Sequence, residues 1–395
     1  MSDWIIFGFM LMAVAIGYGL GTYNYSRRSP IVGRGLLPES YYQGLRYLLN
    51  EQTDSSVDAF IESLEVNEET LEIHLALGSF LRRKGEVTKA IKIHENLLHS
   101  GKLNTLQLHQ AQLELASDFV HAGLLDRAEN LLDELVRLGS TFTTDALQQL
   151  VVIYQDEREW SKALQAANKL SGLPNKIGAN ELAVMKSHYC CEMALQVIEG
   201  EQGEVARSYL REAFHHHQHS VRASLIWAQL EFDAGAYREA LELLKKIPQQ
   251  DPDLINQSLD LVKDCFYALG DKEGLRHYLF NLLTRHPSTS VILKVAEFIS
   301  NSKGEQAAAE FIAGELRHKP SIKTLGRLVD LYLVHSDGKA KDNLELLKQL
   351  IDKVAAEKPN YICNRCGFTG NKLHWLCPSC KIWNSVKPIK GVTGE

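Results

Sequence analysis

From about residue 40 to 355, apolar residues recur three and four positions apart, and short polar or glycine-containing turns interrupt them every 12 to 16 residues. Such spacing gathers the apolar side chains of each segment onto one helical face. A helix that short, striped on one side, is not stable alone in water, so the segments must pair and stack. Small residues at Ala59, Ala90, Ala128, Ala163, Ala206, Ala240, Gly274 and Ala308 mark one recurring position where two helices touch, and the last three intervals are 34 residues each. Insertions near 100–104 and 171–185 lengthen two of the earlier intervals. Proline supports the same register. Pro174, Pro248, Pro252, Pro287 and Pro320 each fall at the end of a second helix or in the following turn, whereas another register would bury them in helix interiors at about 3 kcal/mol apiece.

A 34-residue period of this kind matches the tetratricopeptide unit, in which helix A carries a large residue, then Leu-Gly or Leu-Ala, then an aromatic, and helix B carries a small alanine. The clearest copy runs from Leu71 to Lys102, with His74, Leu77-Gly78, Leu81, a turn at Gly85, then Ala90, His94 and Leu97. Further copies carry Leu115-Ala116, Phe119, Gly123 and Ala128; Leu150, Tyr154 and Ala163; Met193-Ala194 and Ala206; and Trp227-Ala228, Gly235 and Ala240. The expectation is an all-α solenoid over 40–357 with a concave groove for peptides or protein surfaces. No catalytic constellation stands out in it. Phe119, Tyr154, Trp160 and Trp227 fall at core positions. His215, His216, His217 and His219 point around a helix by about 100° per residue and cannot all converge on one ion. Adjacent Cys190 and Cys191 diverge for the same reason, so they read as core, and Glu65, Glu68, Glu69 and Glu72 read as a solvated helix start.

Two other segments depart from the repeat. Between Asp3 and Arg27 lie 23 residues without a formal charge, enough at about 1.5 Å per residue to cross a hydrocarbon core of roughly 30 Å. Arg27, Arg28 and Arg34 follow the apolar run and none precedes it, which argues against a cleaved leader and keeps the carboxyl-terminal side in the cytoplasm. Trp4, Tyr23 and Tyr25 suit the two interfaces. The expected division is therefore a transmembrane anchor at 1–26, a linker at 27–39, the repeats at 40–357 and a terminal module at 358–395. With 43 Lys and Arg against 49 Asp and Glu, a formal charge of −6 gives no general attraction to nucleic acid.

The terminal module carries four of the seven cysteines, as Cys363-x-x-Cys366 and Cys377-x-x-Cys380 with ten residues between the pairs. Two tight turns can aim four thiolates at one ion, and Gly367 can adopt the positive φ that such a turn requires. Some 35 residues cannot support a core of their own, so metal ligation would supply the folding energy. Zinc and iron both suit the ligands. A closed four-sulfur shell leaves no open position for hydrolysis, and His374 is surplus to it. Phe368, Trp375 and Trp383 are expected to cover the metal and to dock the module on the last helices. Arg365, Lys372, Lys381, Lys387 and Lys390 against Glu395 alone would be the basic footprint of a zinc-ribbon nucleic-acid binder; membrane anchorage argues against that reading.

Taken in order, these parts resemble the lipopolysaccharide assembly protein B family of Gram-negative bacteria. The resemblance runs along essentially the whole chain, and is carried by Arg83-Lys-Gly-Glu-Val-Thr-Lys-Ala-Ile-Lys-Ile-His94, Ala122-Gly-Leu-Leu-Asp-Arg-Ala-Glu129, Ala146-Leu-Gln-Gln-Leu150, Cys363-x-x-Cys-Gly-Phe, Trp375-x-Cys-Pro-Ser-Cys380 and Lys387-Pro-Ile-Lys-Gly391. It implies an inner-membrane protein with a cytoplasmic soluble part and a rubredoxin-like module in which Cys363, Cys366, Cys377 and Cys380 bind iron. It implies too a non-enzymatic adaptor that helps a membrane-bound AAA+ protease degrade the deacetylase committing carbon to lipid A. Other lipopolysaccharide assembly proteins and a second copy of the chain are further partners to consider. Lys381 stands where an electron-transfer rubredoxin usually has glycine, which weakens the alternative of an electron carrier positioned by repeats.

Overall fold

In the computed structural model, residues 70–174 and 177–395 are described. The expected anchor at 1–26, the linker at 27–39 and the repeat position Ala59 lie outside them. Among the described residues no helix is long and apolar enough to cross a membrane. The chain runs through α1 (Leu71–Arg83), α2 (Val87–His99), α3 (Thr105–His121), α4 (Leu125–Arg137), α5 (Thr143–Asp156), α6 (Trp160–Ser171), α7 (Ala179–Ile198), α8 (Gly203–His216) and α9 (Val221–Asp233). It continues through α10 (Tyr237–Leu244), α11 (Ile247–Gln250), a 3-10 segment (Pro252–Gln257), α12 (Leu259–Ala268), α13 (Lys272–Arg285), α14 (Thr289–Lys303), α15 (Glu305–His318), α16 (Ile322–Leu333) and α17 (Gly338–Ala356). Three short strands follow: β1 (Tyr361–Cys363), β2 (Thr369–Gly370) and β3 (Val386–Pro388). The helices form tetratricopeptide-like stacked pairs, and the strands frame a small four-cysteine module. Two compact units divide at Ala128.

The described alanines of the repeat position, Ala90, Ala128, Ala163, Ala206, Ala240 and Ala308, are all 0% exposed. A longer side chain there would hold the two helices of a pair apart, which is why the sequence marks the position so consistently. The turns between paired helices also share one device, a backbone bond from the first residue of the next segment back to the last turn of helix A. It joins Glu86 to Leu81, Glu159 to Tyr154, Gln202 to Val197, Ala236 to Glu231 and Asp271 to Phe266, at 2.8–3.1 Å. The preceding residue must take a left-handed conformation. Gly85 and Gly235 do so freely, whereas Arg158 (φ 61°) and Glu201 (φ 59°) do so with a side chain attached. The prolines keep out of long helices: Pro248 lies in the first turn of α11 and Pro252 opens the 3-10 segment, positions whose N–H needs no helical partner.

In the first unit the packing is partly polar. Asp118 on α3 is wholly buried and receives Arg82 Nη1 at 2.6 Å, while its other oxygen meets His94 Nδ1 at 2.5 Å. Arg82 Nη2 also reaches Glu114 at 2.7 Å. This network pins the His94 ring against the helix backbone at Gly78, where an added Cβ would stand 2.4 Å from both Cε1 and Nε2 of that ring. The Leu-Gly of the repeat motif is thus required here by a histidine, not by a turn. We expect Gly78→Ala to lower stability by about 1–3 kcal/mol, the usual cost of forcing an extra methyl into a filled site. Urea unfolding checks this, and an unchanged midpoint would refute it.

Candidate metal centre

The module is built on a three-stranded antiparallel sheet of order β2-β1-β3, with Tyr361 opposite both Gly370 and Pro388. Each Cys-x-x-Cys pair forms the same turn. In the first, Gly367 N–H donates to Cys363 C=O at 3.0 Å and Cys363 N–H to Phe368 C=O at 2.7 Å; in the second, Lys381 N–H donates to Cys377 C=O at 3.0 Å and Cys377 N–H to Ile382 C=O at 3.1 Å. Gly367 (φ 78°) and Lys381 (φ 57°) occupy equivalent left-handed positions.

The four Sγ atoms lie within 4.8 Å of one another, with Cys363 and Cys380 separated by 3.7 Å and Cys366 and Cys377 also by 3.7 Å. A tetrahedron with metal–sulfur bonds of about 2.3 Å has edges of about 3.8 Å, and a disulfide would need about 2.05 Å. The donor set and spacing therefore fit a single tetrahedral ion, and the module holds a four-cysteine metal site. Burial opposes ionisation of Cys363, but its hydrogen bond with Ser385 and those from the Cys366 and Arg365 amides outweigh it and bring the thiol down to about 6. Cys366 is lowered chiefly by the Phe368 amide. Cys380 is pushed up to about 12 by burial and by its neighbouring thiols. Four adjacent sulfurs cannot all ionise without a cation among them. His374 is exposed, stands edge-on to Phe368, and is not part of the sulfur cluster.

Only part of the expected aromatic arrangement holds. Phe368 packs inside the module with Tyr361, Leu373 and Cys380. Trp375 and Trp383 dock the module on central helices rather than on the last ones. Trp383, 6% exposed, donates Nε1 to Gln155 Oε1 on α5 at 2.7 Å, and Tyr189 Oη on α7 donates to the same oxygen at 3.1 Å. His188 stacks on the Trp383 ring at 4.6 Å, and the Arg222 guanidinium of α9 lies 5.7 Å from Trp383 and 5.9 Å from Trp375. Each of these groups projects from a first helix of its pair, and together they form one largely aromatic seat across α5, α7 and α9. What reaches the later helices is the tail. The Ile322 amide at the start of α16 donates to Val392 C=O, and the Ser290 amide in α14 donates to the Glu395 carboxylate.

Three of the five basic residues of the module are engaged in this docking, as Lys381–Asp156 at 3.1 Å, Lys387–Asp251 at 2.5 Å and Lys390–Asp253 at 2.8 Å. The stripe that could have suggested a nucleic-acid footprint is largely a set of intramolecular ion pairs. Sequence reasoning did not find Gln155, His188 or Arg222, which carry no motif and lie over 150 residues from their partners.

Fold and site together define a tetratricopeptide-repeat scaffold with a rubredoxin-type metal module: residues 198–259 match the tetratricopeptide repeat family, and residues 361–388 the family described as rubredoxin metal binding domain. The chain is 33% identical over 391 residues to lipopolysaccharide assembly protein B of Escherichia coli, covering 98% of each, and 33% identical over 392 residues to the protein of that name from Haemophilus influenzae, covering 96% of this chain and 97% of that one. It belongs to the lipopolysaccharide assembly protein B family. Among solved structures, a tetratricopeptide repeat protein from Parabacteroides merdae is 16% identical with a TM-score of 0.33, covering 72% of this chain and 99% of that one.

Stripping the metal with a strong chelator should unfold the module and free Trp375 and Trp383, giving a red-shifted tryptophan emission while the far-ultraviolet helical signal is largely kept; unaltered emission after verified metal loss would contradict it. His188, fully enclosed, is held well below its ordinary value of 6.5 first by burial and then by the Arg222, His217 and Lys387 charges. Since the unfolded chain takes up this proton before the folded one does, stability should fall as pH drops below about 6.5, by up to about 1.4 kcal/mol per pH unit. Between about pH 7.5 and 5.5 the denaturant midpoint of the wild type should fall relative to that of His188→Phe. Parallel pH slopes would show that His188 is not the group responsible.

Proposed function

We propose that the protein acts in lipopolysaccharide assembly as a non-enzymatic adaptor of the inner membrane. In this reading residues 1–26 anchor it, the repeats and module face the cytoplasm, and the assembled surface presents the deacetylase that commits carbon to lipid A to a membrane-bound AAA+ protease. Cys363, Cys366, Cys377 and Cys380 hold one ion, iron by kinship and zinc as the alternative. The observation that carries the reading is kinship over 98% of the chain with proteins named for lipopolysaccharide assembly.

Physical chemistry supports each part. Anchoring to the bilayer raises the local concentration of an adaptor near a membrane protease without any added contact. A helical-repeat surface suits protein partners. Helices α12, α14, α16 and α17 line a furrow of about 570 Å³ that carries Lys323 and Arg327 beside the Lys294–Glu297 and Lys348–Asp330 ion pairs, a polar surface suited to a polypeptide. The ion then has a structural task, since it shapes the module that covers α5, α7 and α9.

The test is deacetylase half-life in cells supplied with the full chain, a chain lacking residues 1–26, or one with all four module cysteines changed to serine. Both altered chains should lengthen it several-fold, with the protein itself still present by immunoblot. Unchanged turnover with the shortened chain removes the tether, and unchanged turnover with the serine variant removes the module from the mechanism.

A further inference from the structure

A second group of metal-ligating side chains lies away from the four-cysteine site, between the paired helices α7 and α8. Cys190 on α7 is 0% exposed. Facing it, Glu212 and His216 stand four residues apart on α8 and so share one helical face. The ligand atoms of the three residues all fall within 4.8 Å of one another. Glu212 Oε1 is 3.6 Å from His216 Nε2, beyond hydrogen-bond reach, yet close to the roughly 3.3 Å expected of two ligands with bonds of about 2.0 Å to one ion. His216 Nε2 is itself enclosed without a hydrogen-bond partner. Buried polar nitrogens are seldom left so.

We propose that Cys190, Glu212 and His216 form a second metal site, for a divalent borderline-soft ion of the zinc class, with a water completing the shell. One thiolate, one carboxylate and one neutral imidazole are ligands that zinc accepts together. Charge balance favours the ion over the empty pocket. A lone thiolate at Cys190 is opposed by burial and by the Glu212 charge, with only partial help from the Lys186 ammonium, whereas thiolate, carboxylate and dication sum to zero. On binding, the Cys190 Sγ–H bond is broken, the proton leaves to solvent, and sulfur donates its pair to the metal, with no change of oxidation state. Burial and the nearby Lys186 charge keep the His216 ring below its ordinary value, hence in its ligand form at neutral pH. Access is from the Glu212 side, whose side chain is 42% exposed. Of the four clustered histidines only His216, the last residue of α8, has a ring nitrogen in this group; His217 and His219 follow the end of the helix.

The experiment uses the full chain with its four-cysteine site already filled. Native mass spectrometry with zinc should find two ions per chain, and cobalt added to the same protein should give a thiolate-to-cobalt absorption for the second equivalent. Cys190→Ser should abolish that band, and His216→Ala and Glu212→Gln should each weaken the second equivalent by about tenfold or more, while Cys191→Ser, His217→Ala and His219→Ala leave it in place. Glu212 is partly exposed, so Glu212→Gln tests the site even where Cys190→Ser fails to fold. A single ion per chain under excess zinc, a second ion that survives both His216→Ala and Glu212→Gln, or one that is lost with His217→Ala or His219→Ala, would each overturn the proposal.

Discussion

The contact between Trp383 and Gln155 is where metal chemistry meets the repeat. Trp383 follows Cys380 by three residues, so the second knuckle sets the direction of its indole, and the four-sulfur site sets the knuckle. At the other end, Gln155 Oε1 accepts from both Trp383 and Tyr189, which fixes the amide orientation and joins the module to a bond that already ties α5 to α7. A buried carbonyl oxygen with two donors is fully used. Removing the indole would leave it half satisfied inside a largely aromatic seat, at a cost greater than the bond contributes when made.

Magnitudes decide what holds the module in place. Lys381 and Asp156 are 52% and 44% exposed, and a pair so solvated is worth little. Lys387 and Asp251, at 14% and 19%, are better shielded, but each charge gives up hydration to meet. The aromatic contacts carry more. Trp160, Tyr189 and His188 surround Trp383 at ring distances of 4.6–6.2 Å, and pairs of this kind contribute about 0.5–1.5 kcal/mol each beyond the area they bury. Arg222 adds its guanidinium to two indoles while Glu192 holds it at 2.8 Å. The seat is thus largely aromatic, with Gln155 and the Arg222–Glu192 pair within it and the lysine ion pairs around it. The equivalent of Lys381 in the first knuckle is Gly367, which bears a left-handed backbone without strain; Lys381 takes the same conformation with a side chain attached, and its ammonium reaches Asp156 on α5.

How much of this was legible beforehand follows from the range of each interaction. The alanine positions, the paired helices and the four sulfurs are written in local spacing, because a helix face, a hairpin turn and a knuckle are each decided within about 34 residues. The seat is not local. Gln155 and Trp383 are 228 residues apart in the chain, and nothing near either residue announces the other, so the aromatic residues of the module were assigned to the nearest helices when they serve distant ones. Gly78 shows a milder version: its place in the motif was readable, but its reason, the ring of His94 clamped by Asp118, depends on two other helices. Spacing along the chain reads Cys190 as core and does not let His215, His216, His217 and His219 all converge; it says nothing of Cys190 with His216. Their juxtaposition across α7 and α8 requires knowing which faces meet.

A stack of helical pairs is a nearly one-dimensional object, in which each pair feels only the next. The module changes that. Its side chains and tail touch α5, α7, α9, the 3-10 segment, α14 and α16, so pairs that are not neighbours share a partner. An ion that binds the folded module but has no comparable site in the unfolded chain stabilises the folded module by mass action. Through the seat, that stabilisation is passed to every pair the module spans. The consequence is cooperativity that the repeats alone could not have, and it makes metal occupancy a property felt along the second unit rather than at its tip.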